Sequence, residues 1–293
     1  MFKGSIVALV TPMAEDGEIH YAALQQLVEF HIKAGTNGLV AVGTTGESAT
    51  LPIDEHIQVV RKTVEYAAGR IPVISGAGAN STSEAIELSQ ASAEVGADGL
   101  LSVVPYYNKP QQRGLIGHFE KVADATDLPV LLYNVPGRTV TDMLPETVAV
   151  LSGHKRIVGL KDATGDIQRL KTMQSLLPED FILLSGDDAT GCEFMLQGGH
   201  GVISVTANLV PDRMARLCAA ATAGQSVLAR EIDGQLAELH QALFIEPNPV
   251  MPKWALYKMG LLPSPMLRLP MVEPELIHQK AIEQVMQKAG VIS

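Results

Sequence analysis

Cysteine is almost missing from this chain: Cys192 and Cys218 are the only two, and no CxxC spacing joins them. A disulfide framework and a thiolate zinc site are thereby excluded, and reduced thiols point to a cytoplasmic protein. No run of lysines or arginines occurs and the formal net charge is −10, which argues against nucleic acid or anionic membrane as a partner. No stretch approaches the ~18 continuous apolar residues that a membrane helix requires. The short apolar run Ile6–Val10 is followed by Pro12 and acidic residues, without a small-residue cleavage pattern, so it reads as a first strand and not as a leader. Aromatic residues are also few, with only six tyrosines, so where those tyrosines fall carries information.

What is present is one unit repeated: an apolar run of four to six residues, a polar loop containing glycine, then about a dozen residues of helical pattern. Strands are expected at Ser5–Val10, Gly38–Val42, Val73–Gly76, Gly99–Val103, Val130–Tyr133, Ile157–Leu160, Phe181–Ser185 and Gly201–Val205. Helices are expected at Tyr21–Ala34, Ile53–Ala68, Thr82–Val95, Gln111–Ala125, Pro145–Leu151, Ile167–Leu177, Ala189–Gln197 and Pro211–Ala223. Ser81-Thr82-Ser83-Glu84 has capping-box spacing, and Gly35, Gly69, Gly96 and Gly198 sit where helix ends need a left-handed residue. Eight βα units with short returns define the α/β class and favour a (β/α)8 TIM barrel over an open doubly wound sheet. After Ala223 the strand signal stops and proline-broken helices follow at Gln225–Phe244, Met251–Met259 and Pro274–Lys288. The expected organisation is a catalytic barrel over 1–223 and a C-terminal helical appendage over 224–293, too small to fold by itself.

Within this pattern Ile157-Val158-Gly159-Leu160-Lys161-Asp162 ends an apolar strand on a lysine. Strict alternation puts Lys161 on the face of Ile157 and Gly159, pointing inward. A lysine held in an apolar pocket is biased towards its neutral, nucleophilic form and can make a Schiff base with a carbonyl compound. The plain alternative is a lysine that snorkels to the rim.

In a barrel the chemistry collects on the loops that follow strands. After the second strand, Gly43-Thr44-Thr45-Gly46-Glu47 offers backbone N–H groups and two hydroxyls as a carboxylate seat, or is merely a polar turn. After the fourth and fifth strands come Tyr106, Tyr107 and Tyr133, followed by Arg138. A phenol can shuttle protons beside a Schiff base, and a guanidinium fork suits a carboxylate. A rim tyrosine or a surface ion pair would need the same residues. Metal-dependent chemistry lacks clustered ligands: the eight histidines are scattered, and His200 precedes its strand and so belongs to the opposite end of the barrel. A phosphate site after strands seven and eight would meet Asp187 and Asp188. Neither a metal nor a phosphate site is expected.

Together Gly4–Pro12, Gly43–Glu47, Pro105–Asn108, Tyr133–Thr139, Gly159–Gly165, Ser185–Asp188, Gly199–Asn208 and Glu246–Trp254 make the whole chain similar to the dihydrodipicolinate synthase family, within the superfamily of N-acetylneuraminate lyase. The resemblance implies a cofactor-free condensation of pyruvate with L-aspartate 4-semialdehyde, in the diaminopimelate route to L-lysine. It implies that Lys161 forms the imine, and that Tyr133 moves protons in a relay with Thr44 and with Tyr107 of a neighbouring subunit. Thr45 and the backbone near it would hold the pyruvate carboxylate, Ile203 would line the site by its backbone, Gly186 would belong to the substrate site, and Arg138 would receive the carboxylate of the semialdehyde. A homo-oligomer follows, typically a tetramer built as a dimer of dimers. Feedback-sensitive members bind L-lysine at positions matching Ser48, Ala49, His56, Asn80, Glu84 and Tyr106, and this chain departs from some of them in carrying Ile53 where they have histidine. The competing activity is that of a pyruvate-dependent class I aldolase acting on a 2-keto-3-deoxy sugar acid or N-acetylneuraminate, and a catalytically silent keto-acid sensor is a third reading.

Overall fold

A computed structural model describes residues 2–293. Eight parallel strands close in chain order: β1 (Gly4–Ala8), β2 (Gly38–Ala41), β3 (Val73–Gly76), β4 (Gly99–Val103), β5 (Val130–Asn134), β6 (Ile157–Asp162), β7 (Ile182–Ser185) and β8 (Gly201–Ser204). Pairing of Ile6 with Ile203 joins the first strand to the last, so no edge is left open. Around them run α1 (Tyr21–Ala34), α2 (Ile53–Ala67), α3 (Thr82–Glu94), α4 (Gln112–Asp124), a single turn α5 (Pro136–Thr139), α6 (Pro145–Leu151), α7 (Ile167–Leu176), α8 (Asp188–Leu196) and α9 (Pro211–Thr222). Three more helices follow, α10 (Ser226–Ala242), α11 (Val250–Lys258) and α12 (Leu276–Lys288). This is the (β/α)8 barrel with C-terminal helices that the repeated unit predicts. Among the described residues no helix is long and apolar enough to cross a membrane.

Alternation sorts each strand between two cores. Ile6, Val40, Ile74, Leu101, Leu131, Tyr133, Leu184 and Ile203 fill the barrel interior, while Leu100, Val130, Leu132 and Leu160 face the surrounding helices. The expected face of Ile157 is wrong. Val130 pairs with Ile157 but Leu131 already pairs with Gly159, so Val158 is an extra residue that bulges the strand. Ile157 consequently packs outward with Leu160, and on the inward side Val158 packs against the barrel interior, with Gly159 between it and Lys161. Gly159 is closely packed: a Cβ there would lie 2.5 Å from the Ile182 carbonyl and 2.8 Å from Leu131 Cδ2. The strand also runs further than its apolar run, and Lys161 is paired with Tyr133 inside the ladder.

The capping box at Ser81 does not form: α3 starts without a side-chain cap, because the Ser81 hydroxyl bonds the Ser83 hydroxyl at 2.9 Å. Gly35, Gly69, Gly96 and Gly198 do take positive φ at helix ends. The C-terminal helices share one continuous core with the barrel, in which Leu236, Leu239, Met251, Leu256, Ile282 and Met286 are buried. Each such side chain contributes about 1.5–3 kcal/mol on burial. That packing carries residues 246–253 across the C-terminal end of the strands, where they enter the site.

Candidate active site

At that end a cavity of about 120 Å³ is walled by Thr44, Thr45, Tyr133, Arg138, Lys161, Gly186, Asp187 and Asn248, among others. Lys161 is buried, and its Nζ lies 4.2 Å from the centroid of the Tyr133 ring. No carboxylate pairs with it among the described residues, so its face contact is with the ring's π cloud. The stem of Lys161 has its place because position 186 is glycine: a Cβ there would stand 2.8 Å from Lys161 Cε and 2.7 Å from Ala163 Cβ. Asp162, next in the strand, is anchored by Arg169 at 3.0 Å, which also holds Asp142 and the Met143 carbonyl. Three charge-assisted bonds thus fix the strand end from which the lysine projects.

The loop after β2 spends part of the expected nest of N–H groups on itself. Those of Gly46, Glu47 and Ser48 bond back to the carbonyls of Gly43 and Thr44, so they are spent inside the turn. What the loop still offers a carboxylate is the backbone N–H groups of Thr44 and Thr45, which have no acceptor among the described residues, and the hydroxyl of Thr45. That hydroxyl accepts the Asn248 side-chain N–H at 2.9 Å, which leaves its own proton for a ligand. Glu47, with φ 60 in the left-handed region that costs a non-glycine residue energy, is held there by a buried ion pair to Lys253 at 2.7 Å and by the backbone N–H of Arg268 at 3.1 Å. Desolvation is the largest influence on Lys253 and pushes its pKa down, and Glu47 opposes it.

Arg138, on the α5 turn, donates from Nη2 to the backbone carbonyl of Asn248 at 3.1 Å and lines the cavity. Among the described residues no hydrogen bond joins the Tyr133 phenol to the Thr44 hydroxyl, although both line the same cavity. Ile203 packs in the barrel interior, and Val205 supplies the cavity wall beyond β8. Tyr107 stands apart, 88% exposed with φ 74. His200 lies at the other end of the barrel as expected, in a groove with Lys3 and Arg216.

A second cavity of about 390 Å³ adjoins the first, sharing Thr44, Arg138 and Asn248 with it. It gathers Ser48, Ala49, Ile53, His56, Glu84 and Tyr106. Asn80 does not line it but donates to the Tyr106 carbonyl at 3.3 Å. Burial lowers the His56 pKa to about 4, and burial followed by Glu84 raises that of Tyr106. The residues that sequence reasoning missed are Asn248 and Lys253. Their signal was an asparagine enclosed by Pro247 and Pro249, then a lysine within the apolar run of α11.

A (β/α)8 barrel with a buried, unpaired lysine beside a tyrosine at the C-terminal ends of its strands defines the class of Schiff-base-forming lyases. Residues 1–289 match the model of the Dihydrodipicolinate synthetase family, and the chain belongs to that family. It is 68% identical, over all of both chains, to the 4-hydroxy-tetrahydrodipicolinate synthase of Pseudoalteromonas atlantica. The chloride-inhibited dihydrodipicolinate synthase of Acinetobacter baumannii, solved with pyruvate, is 47% identical, with a TM-score of 0.98 over all of both chains. The enzyme of Cyanidioschyzon merolae, solved with lysine bound, is 38% identical, with a TM-score of 0.96 over 99% of each chain.

Proposed function

We propose that this chain condenses pyruvate with L-aspartate 4-semialdehyde, forming 4-hydroxy-tetrahydrodipicolinate in the diaminopimelate route to L-lysine. The observation that carries the reading is the buried Lys161 amine against Tyr133, with hydroxyl and guanidinium groups on the same cavity wall.

Lys161 Nζ attacks C2 of pyruvate while Thr45 donates its hydroxyl to the carboxylate. Loss of water gives the imine. Tyr133 takes a proton from C3, turning the imine into an enamine whose C3 attacks the aldehyde carbon, and the aldehyde oxygen receives the proton through the hydroxyls of Tyr133 and Thr44. The amine of the second substrate then adds to C2 and Lys161 leaves as the free amine, closing the ring. Arg138 holds the carboxylate of the semialdehyde in a bidentate fork. Gly186 gives the lysine stem its channel, and the Ile203 backbone borders pyruvate from β8.

Tyr107 belongs to the same relay, contributed by a second copy of the chain. Its exposure and its positive φ support that role, since both are costly in a lone subunit. The assembly is a homo-oligomer, a tetramer built from two tight dimers. L-lysine inhibits by binding the second cavity, its ammonium on Glu84, among Ser48, Ala49, His56, Asn80 and Tyr106. The two buried free cysteines suit a reducing cytoplasm.

Incubation with pyruvate followed by borohydride reduction tests the chemistry. A mass increase mapping to Lys161 and absent from K161A is expected; a wild-type protein without that adduct refutes the reading.

A further inference from the structure

Asn248 holds a buried acceptor that nothing among the described residues satisfies. Its Nδ2 is engaged by Thr45 Oγ1 at 2.9 Å and its backbone carbonyl by Arg138 Nη2 at 3.1 Å. Its Oδ1, in a residue only 6% exposed, meets no donor. Buried amide oxygens are rarely left unpaired, and an unpaired one in a residue that lines a cavity marks a place for a ligand's donor. The residue lines the cavity that contains Lys161, Thr45 and Arg138.

We propose that Asn248 Oδ1 accepts an N–H of the amino group of the second substrate, so that Arg138 and Asn248 together read the carboxylate and the amine of one α-amino acid. This rests on the function proposed above. The two residues are already tied to each other by the bond from Arg138 Nη2 to the Asn248 backbone carbonyl, at 3.1 Å. The other polar groups of the cavity serve an amine less well. Lys161 and Arg138 repel an ammonium, and of the Asp187 carboxylate one oxygen, Oδ2, already takes the N–H and hydroxyl of Thr190. A neutral acceptor also suits the chemistry. A carboxylate would favour the protonated amine, which cannot attack C2, whereas an amide oxygen orients the amine and leaves its lone pair usable.

The test compares two aldehydes competing for one site: L-aspartate 4-semialdehyde, read as KM, and succinic semialdehyde, the same chain without the amine, read as an inhibition constant. Loss of a hydrogen bond to this group in N248V raises the KM roughly tenfold to a hundredfold, while the inhibition constant of succinic semialdehyde changes far less. Whatever N248V does through Thr45 and pyruvate falls on both aldehydes alike and cancels in the ratio. N248D keeps an oxygen at the position, so it keeps the preference for the amine-bearing aldehyde, and it moves the acid limb of the kcat profile to higher pH. Equal weakening for both aldehydes in N248V overturns the proposal and leaves Asn248 a support for Thr45. An unmoved acid limb in N248D overturns it too, and this arm stands even if N248V does not fold. Wild-type protein is assayed first: if it traps pyruvate on Lys161 but shows no condensation with L-aspartate 4-semialdehyde, the function reading fails, which is distinguishable from failure of the Asn248 assignment.

Discussion

Replacing Gly186 by alanine puts a methyl group where the stem of Lys161 runs. The new Cβ would be 2.8 Å from Lys161 Cε and 2.7 Å from Ala163 Cβ. Carbon atoms in contact sit at about 3.5–4.0 Å, so something must give by roughly 0.7–1 Å. Ala163 Cβ is fixed to the backbone, and the Gly186 N–H is bonded to the Asp162 carbonyl at 2.7 Å. The lysine chain is the soft partner, and Cε is one bond from the reacting nitrogen. Overpacking of this kind costs about 1–3 kcal/mol, or a Tm lower by about 2–12 °C at roughly 2–4 °C per kcal/mol. A misplacement near 1 Å at a reacting group costs on the order of a hundredfold in rate. G186A should therefore fold, melt somewhat earlier, and trap pyruvate on Lys161 about a hundredfold more slowly in a borohydride time course. Gly117 in α4 serves as the control, because a Cβ there meets nothing within 4 Å, and G117A should keep wild-type trapping while gaining up to about 1 kcal/mol of helix stability. A G186A protein that forms the imine at the wild-type rate would refute the claim that glycine is there to admit the lysine.

Lys253→Met strips the buried Glu47 of its counter-charge, and urea unfolding should show a loss of about 3–5 kcal/mol, whereas K253M/E47L together should lose less. Acid should weaken the fold in a defined window: burial holds the pKa of His31 near about 3 and those of His56 and His118 near about 4. The unfolded chain takes up these protons below about 6.5, so the stabilisation is complete above that pH and falls towards the folded values by about 1.4 kcal/mol per pH unit per histidine. Urea midpoints between pH 7 and 5 measure it, and H31Q should flatten the slope. At the second cavity, E84Q should raise the L-lysine concentration for half-inhibition at least tenfold, since the cavity's other carboxylate, Glu47, is already paired with Lys253; activity of the wild type unchanged by millimolar lysine would remove the regulatory assignment.

The barrel was legible because its rule is local: an apolar run, a glycine-containing loop and an amphipathic helix, repeated. Lys161, Tyr133, Thr44, Thr45, Arg138 and Gly186 were legible for the same reason, since each follows or ends a strand and the closed barrel brings strand ends to one rim. The bulge at Val158 was not, because a register shift depends on which residues of β5 and β6 pair, and the apolar run Ile157–Leu160 reads the same in either register. Ser81 shows the same limit on a smaller scale, since its hydroxyl chose Ser83 over the helix.

Asn248 and Lys253 were illegible for a deeper reason: their partners Thr45 and Glu47 are more than 200 residues away in the chain. No periodicity links them. Yet these contacts make the C-terminal helices part of the site. Glu47 combines a left-handed backbone with a carboxylate neutralised by the buried Lys253, and Thr45, two residues earlier, takes its hydrogen-bond polarity from Asn248. A hydroxyl that already accepts is left to donate, which is what a carboxylate needs. The seat expected from five residues after β2 is therefore built by two segments, one forming the loop and the other deciding which way its hydroxyl points. It follows that a change in α11 far from any substrate should act on pyruvate binding before it acts on the chemistry at Lys161. K253M would then raise the KM for pyruvate more than it lowers kcat, and a variant that lost only kcat would mean the loop keeps its shape without the buried pair.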